Sequence, residues 1–78
     1  MVVEYGGKRL SEEAYARSLQ NAIEYVAKFG SIRNREIREV VGINYDQAIY
    51  FFNRAIAEGH LDRKGKASGT HYVRSTSH

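Results

Sequence analysis

Glycines at positions 30, 42, 59, 65 and 69 cut the stretch GSIRNREIREVVGINYDQAIYFFNRAIAEGHLDRKGKASGTHYV, residues 30 to 73, into short pieces. This punctuation constrains the fold more than any other feature, because no piece between glycines is long enough for more than about four helical turns. The whole chain has 78 residues, and a chain of that size buries only roughly 60% of the surface its unfolded form exposes. One small core must therefore serve several short elements. A single domain with no deep cavity is expected, and any chemistry would sit on an open surface.

Residues 1 to 10 contain Gly6 and Gly7 and show no helical period, so they read as an N-terminal arm with no assigned function. Ser11 followed by Glu12 and Glu13 is a helix start: a hydroxyl accepts an orphan N–H and two carboxylates sit near the positive end of the helix dipole. Tyr15, Leu19, Ala22, Ile23 and Val26 then recur with the spacing of one helical face, and Gly30 closes the helix near Phe29. Ser31 and Ile32 leave room for one bridge of strand. Asn34 is expected to cap a second helix with Ile37, Val40 and Val41 inward, stopped by Gly42. Asn44 and Gln47 form an N-x-x-Q capping pattern for a third helix, over 44–58, with Ala48, Phe52, Ala55 and Ile56 on its apolar face and Phe51 at the margin.

Beyond Gly59, two segments, 60–64 and 70–74, flank Gly65-Lys66-Ala67-Ser68-Gly69, so the chain reverses as a hairpin with a basic tip. Leu61 and Tyr72 are the expected inward pair, with Val73 as the other choice, because a one-residue slip exchanges the faces. The tail 75–78 is polar and expected to be disordered. The organisation is thus an arm (1–10), a domain (11–74) and a tail (75–78), with an α+β fold.

Charge is distributed unevenly along these elements. The first thirty residues carry Lys8, Arg9, Arg17 and Lys28 against Glu4, Glu12, Glu13 and Glu24, so the net +3 lies entirely in the remainder. Arg63, Lys64, Lys66 and Arg74 follow Asp62 with no further acid. Such a strip suits a polyanion. The chain has no cysteine, which removes disulfides and thiolate chemistry. Neither a signal-peptide core nor a membrane span is evident, so a cytoplasmic, nucleoid-associated protein is expected.

Taken in order, Gly-Ser-Ile, then Asn-Arg-Glu-Ile-Arg-Glu-Val-Val-Gly, then Tyr-Asp-Gln-Ala, then Ala-Glu-Gly-His-Leu-Asp-Arg-Lys-Gly and Thr-His-Tyr-Val resemble prokaryotic winged helix-turn-helix domains. The likeness extends to small transcriptional regulators and to winged helices appended to divergent ATPase or AMPylase domains, and covers roughly residues 14 to 74. It implies a three-helix bundle with a C-terminal hairpin wing that binds double-stranded DNA, with the third helix (44–58) in the major groove and the wing (60–74) on the backbone. It also implies a role in transcription regulation or as the DNA-binding module of a larger system.

Carried over by position, the base-reading candidates are Tyr45, Gln47, Ile49, Tyr50, Asn53 and Arg54. Gln47 and Asn53 can pair bidentately with adenine, and Arg54 with guanine. Asp46 departs from this pattern, because its carboxylate would face phosphates. The phosphate candidates are Arg33, Asn34, Arg35, Asn44, Arg63, Lys64, Lys66 and Ser68, with helix amides adding to the anion site at Arg33 to Arg35. About four neutralised phosphates give a log–log salt slope near −3.6.

Two other readings compete. Ile49, Tyr50 and Phe51 in a row would form an apolar patch for a protein partner if the third helix exposed them. Tyr45, Tyr50, Phe51 and Tyr72 would stack on single-stranded bases if they stood free. A homodimer is left open, with the first helix and the arm as its seam. No enzyme is expected: His60, His71 and His78 lack metal-ligand spacing, and no phosphate loop or nucleophile motif occurs. No cofactor, small-molecule substrate or membrane partner is expected either.

Overall fold

The computed structural model describes residues 4–75. Three helices precede one hairpin: α1 (Glu12–Phe29), α2 (Asn34–Val41), α3 (Tyr45–Ala57), β1 (Leu61–Lys64) and β2 (His71–Arg74), with a 3-10 turn, Ala67–Gly69, at the hairpin tip. This is the α+β arrangement of a winged helix.

Helix α1 begins where the sequence predicts. The Ser11 hydroxyl accepts from the Ala14 amide at 3.1 Å, and the Gly30 amide donates to the Val26 carbonyl at 2.7 Å to close the other end. Its buried residues are Tyr15, Ser18, Ala22 and Val26. Leu19 and Ile23, expected inward, are only half-buried. Ser18 takes the intervening inward position, unnoticed in the sequence because its polarity suggests solvent.

The start of α2 differs from expectation by one residue. Arg33 is the cap position and Asn34 the first helical residue. The Glu36 carboxylate accepts from the Arg33 amide at 2.7 Å, while the Asn34 side chain accepts instead from Arg38 Nε at 2.7 Å. Only Ile37 of the three expected inward residues is fully buried: Val41 is half-buried and Val40 is 43% exposed. An eight-residue helix turns one narrow face to the core, and position 40 lies 300° from position 37 at 100° per residue, off to the side of that face. Gly42 then adopts φ +73°, a conformation costly for any residue with a Cβ, and this permits the tight α2–α3 turn.

In α3 the capping pattern forms in both directions: Asn44 Oδ1 accepts from the Gln47 amide at 2.8 Å and Gln47 Oε1 accepts from the Asn44 amide at 3.0 Å. Phe51 is not marginal. It is fully buried, as is Phe52, because α3 is covered on two flanks. Phe51 packs against Tyr15 of α1, with ring centroids 5.7 Å apart, and Phe52 stacks on Tyr72 of the wing at 3.7 Å. Ile56, by contrast, is half-buried.

The hairpin register pairs Leu61 with Arg74 and Arg63 with Tyr72. Leu61 and Tyr72 are both buried, while Val73 is half-buried. They are diagonal neighbours on one face rather than a directly opposed pair. Ile32 forms the single bridge left room for, with reciprocal hydrogen bonds of 2.9 and 2.8 Å to Tyr72. The wing is thereby tied to the chain between α1 and α2. Among the tail residues, 76–78 lie outside the described residues, and the Ser75 amide donates to the His60 carbonyl. No helix among the described residues is long and apolar enough to cross a membrane.

Residues 4–10 take no regular structure, yet they are packed. Leu10 is buried in the core. The Lys8 amide donates to the Asp46 carbonyl at 2.9 Å, and Tyr5 meets Tyr50 edge-on at 5.7 Å. The arm lies along α3.

Candidate nucleic-acid interface

A concave surface of about 460 Å³ opens between the start of α2, the first half of α3 and the wing. Arg33, Asn34 and Arg35 line one side, Tyr45 and Ile49 the floor, and Arg63, Ser68, Thr70 and Tyr72 the other side. Seven of the sequence candidates converge here: Arg33, Asn34, Arg35, Tyr45, Ile49, Arg63 and Ser68. They come from three elements, brought together by the turn at Gly42 and by the wing's attachment through Phe52 and Ile32.

No acid lines this surface. Arg35 pairs with Glu39 at 3.4 Å, but both side chains are largely exposed, and an exposed pair of this kind is worth at most about 1 kcal/mol. A phosphate can therefore displace the carboxylate at small cost. Tyr45 is 58% exposed and sits under the Arg38 guanidinium, 5.6 Å from its ring centre. Strand alternation puts Arg63 on the same hairpin face as Leu61 and Tyr72, toward α3, and Lys64 on the other. Lys64 and Lys66 are exposed outside the concavity.

The remaining candidates are engaged elsewhere. Tyr50 is 8% exposed, covered by Tyr5, so it offers no free face. Arg54 points toward α1: it makes two 2.7 Å bonds to the Glu12 carboxylate and one of 3.0 Å to Glu58, and stands 3.9 Å over the Tyr15 ring. Its side chain is 14% exposed. Helical geometry accounts for this, since position 54 lies 180° from position 45 at 100° per residue. Asn53 donates to the Tyr5 carbonyl at 2.5 Å and accepts from Arg63 at 3.2 Å, so both ends of its amide are occupied. Gln47 has its carbonyl engaged in the α3 cap and keeps only its NH₂ for other partners, and Asn44 is occupied in the same cap. Asp46 does not line the concavity; its carbonyl holds the arm.

Titration follows the same contacts. The Arg54 guanidinium hydrogen-bonded to Glu12 holds that carboxyl below the ordinary glutamate range. Burial acts on Glu58 in the opposite direction, but hydrogen bonds from Tyr15 and Arg54 outweigh it and bring its pKa down. Burial, then the 2.7 Å bond to Glu58, pushes the Tyr15 hydroxyl far up. The cluster is a staple between α1 and α3.

Sequence reasoning missed Thr70 as a lining residue, placed Tyr72 among single-strand stacking candidates and not with the duplex-binding residues, and missed the arm as a neighbour of α3. The adjacent glycines 6 and 7 were the available signal, since paired glycines permit a close backbone approach.

No family model matches the chain, and no curated protein matches it.

Proposed function

We propose that this protein binds double-stranded DNA through the concave face formed by α2, α3 and the wing. The observation that carries the reading is the convergence of Arg33, Arg35 and Arg63 from two separate elements around the exposed Tyr45, with no acid in the lining. Three guanidiniums around a groove suit phosphates on both sides of it, since arginine presents a planar fork to phosphate oxygens. Tyr45 and Ile49 at the floor are then the side chains nearest the bases, and Lys64 and Lys66 extend the positive surface along the wing. The role is that of a transcription regulator, or of the DNA-binding module of a larger prokaryotic system, acting on the nucleoid.

The rival reading, a protein-interaction module, relied on Ile49, Tyr50 and Phe51 as an exposed patch. Phe51 and Tyr50 are buried and Ile49 is half-buried, so the patch is absent and the DNA reading is preferred. The stacking platform loses Tyr50, Phe51 and Tyr72 for the same reason, which leaves Tyr45 alone.

Fluorescence anisotropy of the purified chain with duplex and single-stranded DNA across a salt series tests the proposal. Duplex binding with a log–log slope of about −2.7 to −4.5, from three to five phosphates, is expected. Absence of duplex binding at low salt would reject it.

A further inference from the structure

The arm crosses the outward face of α3. Positions 46, 50 and 53 lie opposite the buried Ala48, Phe51, Phe52 and Ala55 at 100° per residue, and each is held by the arm: Lys8 N–H on the Asp46 carbonyl, Tyr5 against Tyr50, and Asn53 on the Tyr5 carbonyl. Gly7 makes the closest approach. Its φ is +67°, and a Cβ there would overlap the Asp46 carbonyl oxygen and lie 2.8 Å from the Tyr50 nitrogen. Only glycine fits this crossing.

We propose that residues 5–8 are a strap that competes with duplex DNA for α3, so that full insertion of the helix requires the strap to lift. The proposal rests on the DNA-binding reading above. A helix with its side chains is about 10–12 Å across, and the major groove is about 12 Å wide. A backbone hydrogen-bonded along the outward face stands between that face and the base edges, in a groove that the helix alone already fills. Tyr45 remains exposed, and Ile49, half-buried with its Cβ beside Gly7, still lines the concavity, so a first contact through them and the three arginines is open while the strap is down. Lifting frees Asn53 from the Tyr5 carbonyl, returning the donor that a bidentate contact to adenine requires. Leu10 stays buried in the core, which sets the pivot just before it.

The test compares duplex affinity of the full chain with Gly7→Val, which cannot seat the strap, and with Tyr5→Ala, which removes the Tyr50 contact and leaves the three-helix core intact. Exchange of the Lys8 amide is followed by NMR in the free and DNA-bound chain. If the strap is seated about 90% of the time or more, its loss strengthens binding about tenfold or more, and the Lys8 amide of the unaltered chain loses protection on binding DNA. Equal affinity of all three chains, with Lys8 still protected in the complex, overturns the strap and leaves DNA binding standing. Failure of all three to bind duplex overturns both.

Discussion

The guanidinium of Arg54 and the carboxylate of Glu12 meet in a two-pronged ion pair, 2.7 Å at each contact, joining α3 to the first turn of α1. The same guanidinium reaches Glu58 and lies over Tyr15. A side chain that looked like a base reader is thus a staple between helices. Arg54→Ala is expected to destabilise the fold by about 2 kcal/mol, from lost charged hydrogen bonds and lost packing of the side-chain stem. For a domain of this size that is roughly 8–16 °C in Tm. Thermal unfolding by circular dichroism checks it, and duplex affinity measured well below the variant's Tm is expected to stay unchanged.

Acid sensitivity should follow from this staple. Glu12 and Glu58 titrate below the ordinary glutamate value of 4.5 in the folded chain. A depressed folded pKa means the unfolded chain takes up protons first, so the stabilisation is complete above about pH 4.5 and is lost as pH falls through the folded values. Denaturant unfolding at a series of pH values should show stability declining below that point. In Arg54→Met the decline should be shallower; an identical profile in both chains would remove the ion pair as its cause.

Attachment of the wing depends on the Phe52–Tyr72 stack, whose planes are 4° from parallel. A double-mutant cycle with Phe52→Leu and Tyr72→Leu should give a coupling of about 0.5–1.5 kcal/mol. Phe51→Ala, which removes a fully buried ring from the other flank of α3, should cost about 3–5 kcal/mol.

The salt slope should separate phosphate contacts from base contacts. Arg33→Ala with Arg35→Ala should flatten it by about two units, from roughly 0.9 per phosphate, and weaken binding on all duplexes alike. Lys64→Ala with Lys66→Ala should do so by up to about two units. Tyr45→Ala, at the floor, should instead change preference between sequences, by about 1–3 kcal/mol if it touches a base; equal losses on every duplex would place it on the backbone.

Much of this molecule was legible in the order of its residues. Ser11, the Asn44–Gln47 pair and the glycines at 30, 42 and 59 mark helix ends by local hydrogen bonding and backbone conformation, and they act within a few residues of themselves. The 3.6-residue period located Ala22, Val26, Ile37, Ala48 and Ala55 in the core for the same reason. The basic strip Arg63, Lys64, Lys66 and Arg74 was visible in the sequence, but only Arg63 of it lines the concavity, where it meets Arg33 and Arg35 from the start of α2. What the sequence left undecided depended on contacts between distant residues. Tyr50 and Asn53 have the spacing of groove-facing residues, but Tyr5, more than forty positions earlier, covers one and hydrogen-bonds the other. Arg54 is set by Glu12, and Phe51 and Phe52 are both buried because α1 and the wing close on α3 from two sides. Periodicity tells which residues share a face of a helix; only the packing of the other elements decides which faces are covered.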